Sequence, residues 1–198
     1  MSQVDVDLPS DPEARLHDLQ WEVDRYSELL EQFAGEHKIT DLLTGRPVDH
    51  VAIKAADRAD YEQLRDAWLP LLQSSQEAQV DDRSLASGEL ATVITFPGSL
   101  ELQPAIWLEI MQPRPAKAGK DIVGFEHIEV LYDSTTELAR VAAELEQRAV
   151  PYERERNLGH GEWLTLKLKT GQELKLTASR LADVVQQELA AGTAAKLK

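Results

Sequence analysis

The chain has 198 residues, with 21 Lys and Arg against 35 Asp and Glu, a formal net charge of −14, 42% hydrophobic residues and no cysteine. That apolar content supports a packed core and excludes global disorder, while the acidic excess works against nucleic acid and anionic membrane surfaces, which are held by Lys and Arg. The lack of cysteine excludes disulfides and thiolate sites and fits a cytoplasmic protein; no apolar run approaches the ~20 residues of a membrane helix, and residues 1–10 lack the basic and apolar segments of a signal peptide.

Residues 11–34 read as a helix that opens at Asp11-Pro12 and carries Leu16, Leu19, Val23, Tyr26, Leu30 and Phe33 on one stripe. Gly35 is a plausible stop, and 37–45 reads as a short second helix closed by Gly45 and Pro47. Val48 to Ala55 is a strand, with Val51, Ile53 and Ala55 on one face and His50, Ala52 and Lys54 on the other. A helix follows from Asp57–Asp60, carrying Tyr61, Leu64, Trp68 and Leu71, with Pro70 expected to end or kink it. A weak strand at 77–81 and stronger ones at 90–96 and 105–111 complete a first βαβββ unit.

Residues 112–120, rich in Pro, Gly and basic side chains, read as a linker. The order then repeats. Gly124 to Tyr132 is a strand, and Ser134-Thr135-Thr136-Glu137 is a capping box for a helix with Leu138, Val141, Leu145 and Ala149 inward. Strands are expected at 151–156, 162–169 and 172–177, then a helix capped by Ser179 and a tail that frays from Gly192. The fold class expected is α+β: two βαβββ modules forming a cup-shaped curved mixed sheet, with an N-terminal helical extension and a C-terminal helix. The divisions are 1–46 for the extension, 47–111 for the first module, 112–121 for the linker, 122–191 for the second module and 192–198 for the tail.

Alternation carries the functional argument. Val51, Ile53, Ile128, Val130, Leu164, Leu166, Leu168, Leu174 and Leu176 form the helix-packing face. The opposite face then holds His50, His127, Glu129, Trp163, Thr165, Glu173 and Lys175, joined by Trp107, Glu109 and Met111 from the strand at 105–111. His50 and His127 lie 77 residues apart, one in the first strand of each unit. Two imidazoles with carboxylates suit Zn, Fe, Mn or Ni. His127 and Glu129, at i and i+2 on one face, can reach one ion, with His50 arriving from the other unit. A histidine at a strand start is more often simply hydrogen-bonded, so the repeat is what gives the pair weight.

Asp49-His50-Val51-Ala52-Ile53-Lys54, Pro113-Arg114-Pro115 and Gly124-Phe125-Glu126-His127-Ile128-Glu129 together resemble the YecM family, a branch of the vicinal oxygen chelate superfamily that includes glyoxalase I, extradiol dioxygenases and bleomycin-resistance proteins. The resemblance spans roughly 37–190. It implies a cup in which a divalent metal is held by one residue from the first and last strand of each module. The first-strand positions match His50 and His127. The first module's last-strand position matches Glu109, or Met111 if the register slips by two. The second module's falls on Lys175, a departure, since a protonated lysine cannot ligate. Glu129 or Glu173 then replaces that ligand, or the site binds metal weakly, or it takes an anion; Glu129 is favoured because it shares the face of His127. Alternation places Glu126 on the helix-packing side or near its edge, outside the site.

The resemblance therefore implies a divalent-metal-binding protein, an isomerase, lyase or oxygenase acting on a small oxygen-rich substrate. Glu109 and Lys175 are its candidate catalytic residues, and Trp107, Trp163, Thr165, Glu173 and Lys54 its candidate substrate-lining residues. Two alternatives stay open: a non-catalytic cup for a small anionic ligand, and an interaction module that uses the N-terminal helix. An enzyme and a non-catalytic protein both fit these residues, as do a monomer and a homodimer. His17 and His37 read as surface residues, and His160 as an exposed loop residue.

Overall fold

The computed structural model describes residues 25, 28–73, 80–85, 90–97, 105–112, 123–157, 161–192 and 194–196. Expectations for residues 11–24, the linker beyond 112, His17 and His160 lie outside that set. Within it, five helices are α1 (28–36 as described), α2 (Thr40–Leu43), α3 (Arg58–Gln73), α4 (Thr135–Gln147) and α5 (Leu181–Ala191). Nine strands are β1 (Val48–Lys54), β2 (Val80–Leu85), β3 (Leu90–Pro97), β4 (Ala105–Met111), β5 (Gly124–Leu131), β6 (Glu153–Asn157), β7 (Gly161–Lys167), β8 (Glu173–Thr177) and β9 (Ala194–Lys196).

The strands form one mixed sheet in the order β6-β7-β8-β5-β1-β4-β3-β2-β9. Each βαβββ unit places its last strand parallel to its first, β4 beside β1 and β8 beside β5. The two units join where β1 and β5 run antiparallel at the centre. The expected α+β class and paired modules are therefore present.

One face of the sheet carries the core. Val51, Ile128, Val130, Leu164, Leu166, Leu174 and Leu176 pack with Leu138, Val141, Ala142 and Leu145 of α4 and with Phe33, Ala34 and Ile39 from the α1–α2 region. Helix α4 begins as its sequence dictates: the Ser134 hydroxyl accepts the Glu137 N–H at 3.2 Å. Helices α1 and α4 close without glycine. Lys38 (φ 56°) and Ala149 (φ 54°) adopt the left-handed conformation, and Ile39 N–H bonds Ala34 O while Val150 N–H bonds Leu145 O, the crossed pattern of a Schellman end. Ala149 is thus an exposed end residue rather than an inward one.

Several boundaries differ from expectation. α3 runs through Pro70 to Gln73, giving up the one backbone hydrogen bond that proline cannot donate. β2 is described at 80–85 and runs past the expected end at 81, while residues 77–79 lie outside the described set. The tail does not simply fray beyond Gly192: Ala194–Lys196 pairs antiparallel with β2, whose outer edge would otherwise leave backbone groups unpaired. Ser179 does not cap α5. The N-cap is Arg180, which makes no side-chain bond, and the Leu181 N–H is taken by Asp49 of β1. No helix among the described residues is long and apolar enough to cross a membrane.

Candidate metal centre

Strand register assembles the site. Residues directly opposite on paired strands share a face. One row runs Trp107, His50, Glu129, Lys175, Thr165 across β4, β1, β5, β8 and β7. The next row runs Glu109, Ala52, His127, Glu173 across β4, β1, β5 and β8. Eight of the ten candidates named from sequence thus lie in two adjacent rows on the face opposite the core. Lys54 ends β1 beside Met111 and Gly124, and Trp163 stands across from Thr177.

The centre of the rows is tight. His50 Nε2 lies 3.2 Å from His127 Nε2, 3.6 Å from a Glu129 carboxylate oxygen and 3.9 Å from a Glu109 carboxylate oxygen. His50, His127 and Glu129 each offer an atom within 4.8 Å of the others. Ligands at about 2.0–2.2 Å from one tetrahedral ion sit roughly 3.3 Å apart, so the 3.2 Å and 3.6 Å spacings from His50 to His127 and Glu129 are compatible with a shared ion. Both imidazoles are 3% exposed and Glu109 9%, which leaves few waters to satisfy them.

Both rings have their other nitrogen on a carboxylate. His50 Nδ1 lies 3.1 Å from Asp49 Oδ2, and His127 Nδ1 lies 3.3 Å from Glu126 Oε2. An ionised carboxylate only accepts, so both Nδ1 atoms donate. The two Nε2 lone pairs are then turned on one another, and a cation between them, proton or metal, relieves the opposition.

The electrostatics match that picture. Burial pulls His50 down, but Glu129, Asp49 and Glu109 outweigh it and its pKa is raised. Burial and the nearby Lys175 ammonium take His127 down to about 3, with Glu126 opposing. Burial raises Glu129 and Glu173. Burial also works to raise Glu126, yet the hydrogen bond from His127 and the charge of Lys54 hold it at about 2.

Asp49 and Glu126 also belong to the site, although strand alternation puts Glu126 on the helix-packing side or near its edge. The correction comes from two β-bulges. The β1/β5 register shifts once between Val48 and His50 and once between Ala52 and Ile53, where His127 and Phe125 are the partners. Asp49 and Glu126 are the extra residues. A bulge breaks the strict alternation and re-aims the side chain, so each acid joins its histidine. The visible signal was the acidic residue before each histidine.

The remaining candidates surround this centre. Lys54, 1% exposed, lies 3.5 Å from Glu126. Thr165 is buried and donates to Glu155 at 3.1 Å. Trp163 is half-buried, and its Nε1 is buried with no hydrogen-bond partner among the described residues. The Trp107 side chain lies outside the described set. His37 is half-buried and lies against Phe33 with ring centroids 4.4 Å apart in a tilted arrangement, away from the cluster.

The family model described as YecM protein matches residues 15–191. No curated protein sequence matches. A solved structural-genomics protein, EC4020, has 16% identity and a TM-score of 0.65, covering 87% of this chain and 92% of that one. Methylmalonyl-CoA epimerase from Mycobacterium tuberculosis has 15% identity and a TM-score of 0.47 over 67% of this chain and 87% of its own. An extradiol ring-cleaving dioxygenase from B. fuscum has 9% identity and a TM-score of 0.42 over 67% of this chain and 32% of its own.

Proposed function

The chain belongs to the YecM family, and we propose that it holds one divalent metal ion through His50 Nε2, His127 Nε2 and the Glu129 carboxylate, with Glu109 beside them, and acts on a small oxygen-rich molecule. The observation that carries this reading is the pair of Nε2 atoms 3.2 Å apart, each backed by a carboxylate on Nδ1. That donor set fits Zn, Fe, Mn or Ni. A bound ion would supply Lewis acidity toward adjacent substrate oxygens.

The chain's own groups supply the rest. Glu109 is nearly buried beside the cluster and serves as proton acceptor. Lys175, on the far side of Glu129, meets the negative charge of a bound substrate. Thr165, Glu173, Lys54 and the Trp163 N–H, which has no hydrogen-bond partner among the described residues, are the further groups placed around the site. An isomerase, a lyase or an oxygenase would each use such a constellation.

Metal analysis of freshly purified protein tests the proposal. Near-stoichiometric metal in the wild type, lost in the His50→Ala/His127→Ala double variant, supports it. A folded wild type that takes up none of these ions overturns it. That outcome would favour a metal-free anion-binding cup, the reading suggested by Lys175 standing where the other module carries Glu109.

A further inference from the structure

The two bulged acids form a mirrored pair. Among the described ladders, register shifts occur only between β1 and β5, and both fall on the acidic residue that precedes a histidine. Each carboxylate is also anchored a second time, and the anchors differ. Asp49 Oδ2 takes the Leu181 N–H at 2.8 Å, the first residue of α5. Glu126 Oε1 lies 3.5 Å from the Lys54 ammonium, while its Oε2 faces His127.

If Asp49 served only to hold α5, nothing would require the same bulge at Glu126, which touches no helix start in the described contacts. If Glu126 served only to neutralise Lys54, Asp49 would need no bulge. The contact common to both is a carboxylate on a histidine Nδ1. We infer that Asp49 and Glu126 are positioning residues that fix both imidazoles as Nδ1–H tautomers, so that both Nε2 lone pairs converge on one point. This inference rests on the metal reading above. It adds the requirement that each ring be locked by its own neighbour in sequence. The anchors at Leu181 and Lys54 keep the carboxylates from swinging away, since a tethered acceptor loses less freedom when it orients a ring.

The test uses the full chain and Co²⁺ as probe. Asp49→Ala and Glu126→Ala should each weaken Co²⁺ binding by about 10–100-fold, and Asp49→Asn and Glu126→Gln, which keep an acceptor oxygen, should recover a large part of the loss. Circular dichroism and melting curves confirm that the conservative variants are folded. A second readout needs no metal. Nitrogen-15 shifts of His127 at pH 8 should show the Nδ1–H tautomer in the wild type and a mixture with Nε2–H in Glu126→Ala. Should the wild type take up no Co²⁺ while the tautomer shift appears, the metal reading fails and the positioning role stands. Wild-type affinity in both alanine variants, or a His127 tautomer that ignores Glu126, overturns the inference.

Discussion

Glu109 and Lys175 occupy the same place in the two halves of the sheet. Each is the strand partner of the residue two positions after its module's histidine: Ala52 for Glu109, Glu129 for Lys175. One half offers a fourth oxygen at that position and the other offers a fixed positive charge. An ammonium several ångströms from a bound cation costs on the order of 1–2 kcal/mol at the dielectric of a protein cleft. Lys175→Met should therefore tighten Co²⁺ or Zn²⁺ binding by roughly tenfold or more, measured by competition with a chelator. Unchanged or weaker affinity would show that Lys175 does not face the ion.

Metal should also protect the fold. Zn²⁺ at about 1,000 times its dissociation constant adds roughly 4 kcal/mol to the free energy of unfolding. For a chain of this length that is a rise in Tm of about 8–16 °C. The rise should vanish in His127→Ala and reverse with excess chelator in the wild type. An equal rise in His127→Ala would place the ion elsewhere.

Helix α4 ends on Ala149 at φ 54°. A Cβ in the left-handed region is strained, and glycine is the usual occupant of that helix-end position. Ala149 is exposed, so replacing it removes no core contact. Ala149→Gly should stabilise the protein by about 0.5–1 kcal/mol, after the entropy that glycine adds to the unfolded chain. Urea denaturation checks it, and a loss of stability would contradict the end geometry.

Tyr132 is 1% exposed, and its hydroxyl donates to the Leu42 carbonyl at 2.8 Å. Burial raises its pKa to about 12, with the Arg46 guanidinium opposing. The folded state thus holds the phenolic proton more tightly than the unfolded chain, where it leaves near 10. Its contribution is complete below pH 10 and is lost as pH rises toward 12. Tyr132→Phe should cost about 1 kcal/mol at pH 7 and show a shallower decline between pH 10 and 12. Parallel declines in the two proteins would remove Tyr132 as the cause.

Much of the fold was legible because local patterns coincide with tertiary ones. Alternation marks β4 at 105–111, and Ser134 with Glu137 marks the start of α4. His50, His127 and Glu129 were placed on one face by the same alternation, and the structure groups them. What was missed depends on partners distant in sequence. Pro70 does not stop α3, although the local rule says it should. Asp49 caps α5 from 132 positions away, so no reading near Ser179 could find it. The bulges at Asp49 and Glu126 exist only as a mismatch between two strands, and strict alternation along either strand conceals them.

The central β1/β5 pairing also sets a limit on symmetry. Were this seam formed by two copies of a single module, every residue across it would occur twice, and the two halves of the cluster would be identical. Glu109 could not face a lysine counterpart, nor could one carboxylate be tied to a helix start and the other to an ammonium. Holding both modules in one chain frees each half to change alone. The asymmetry of this centre, Glu109 at one position and Lys175 at its counterpart, is one that two identical copies could not have.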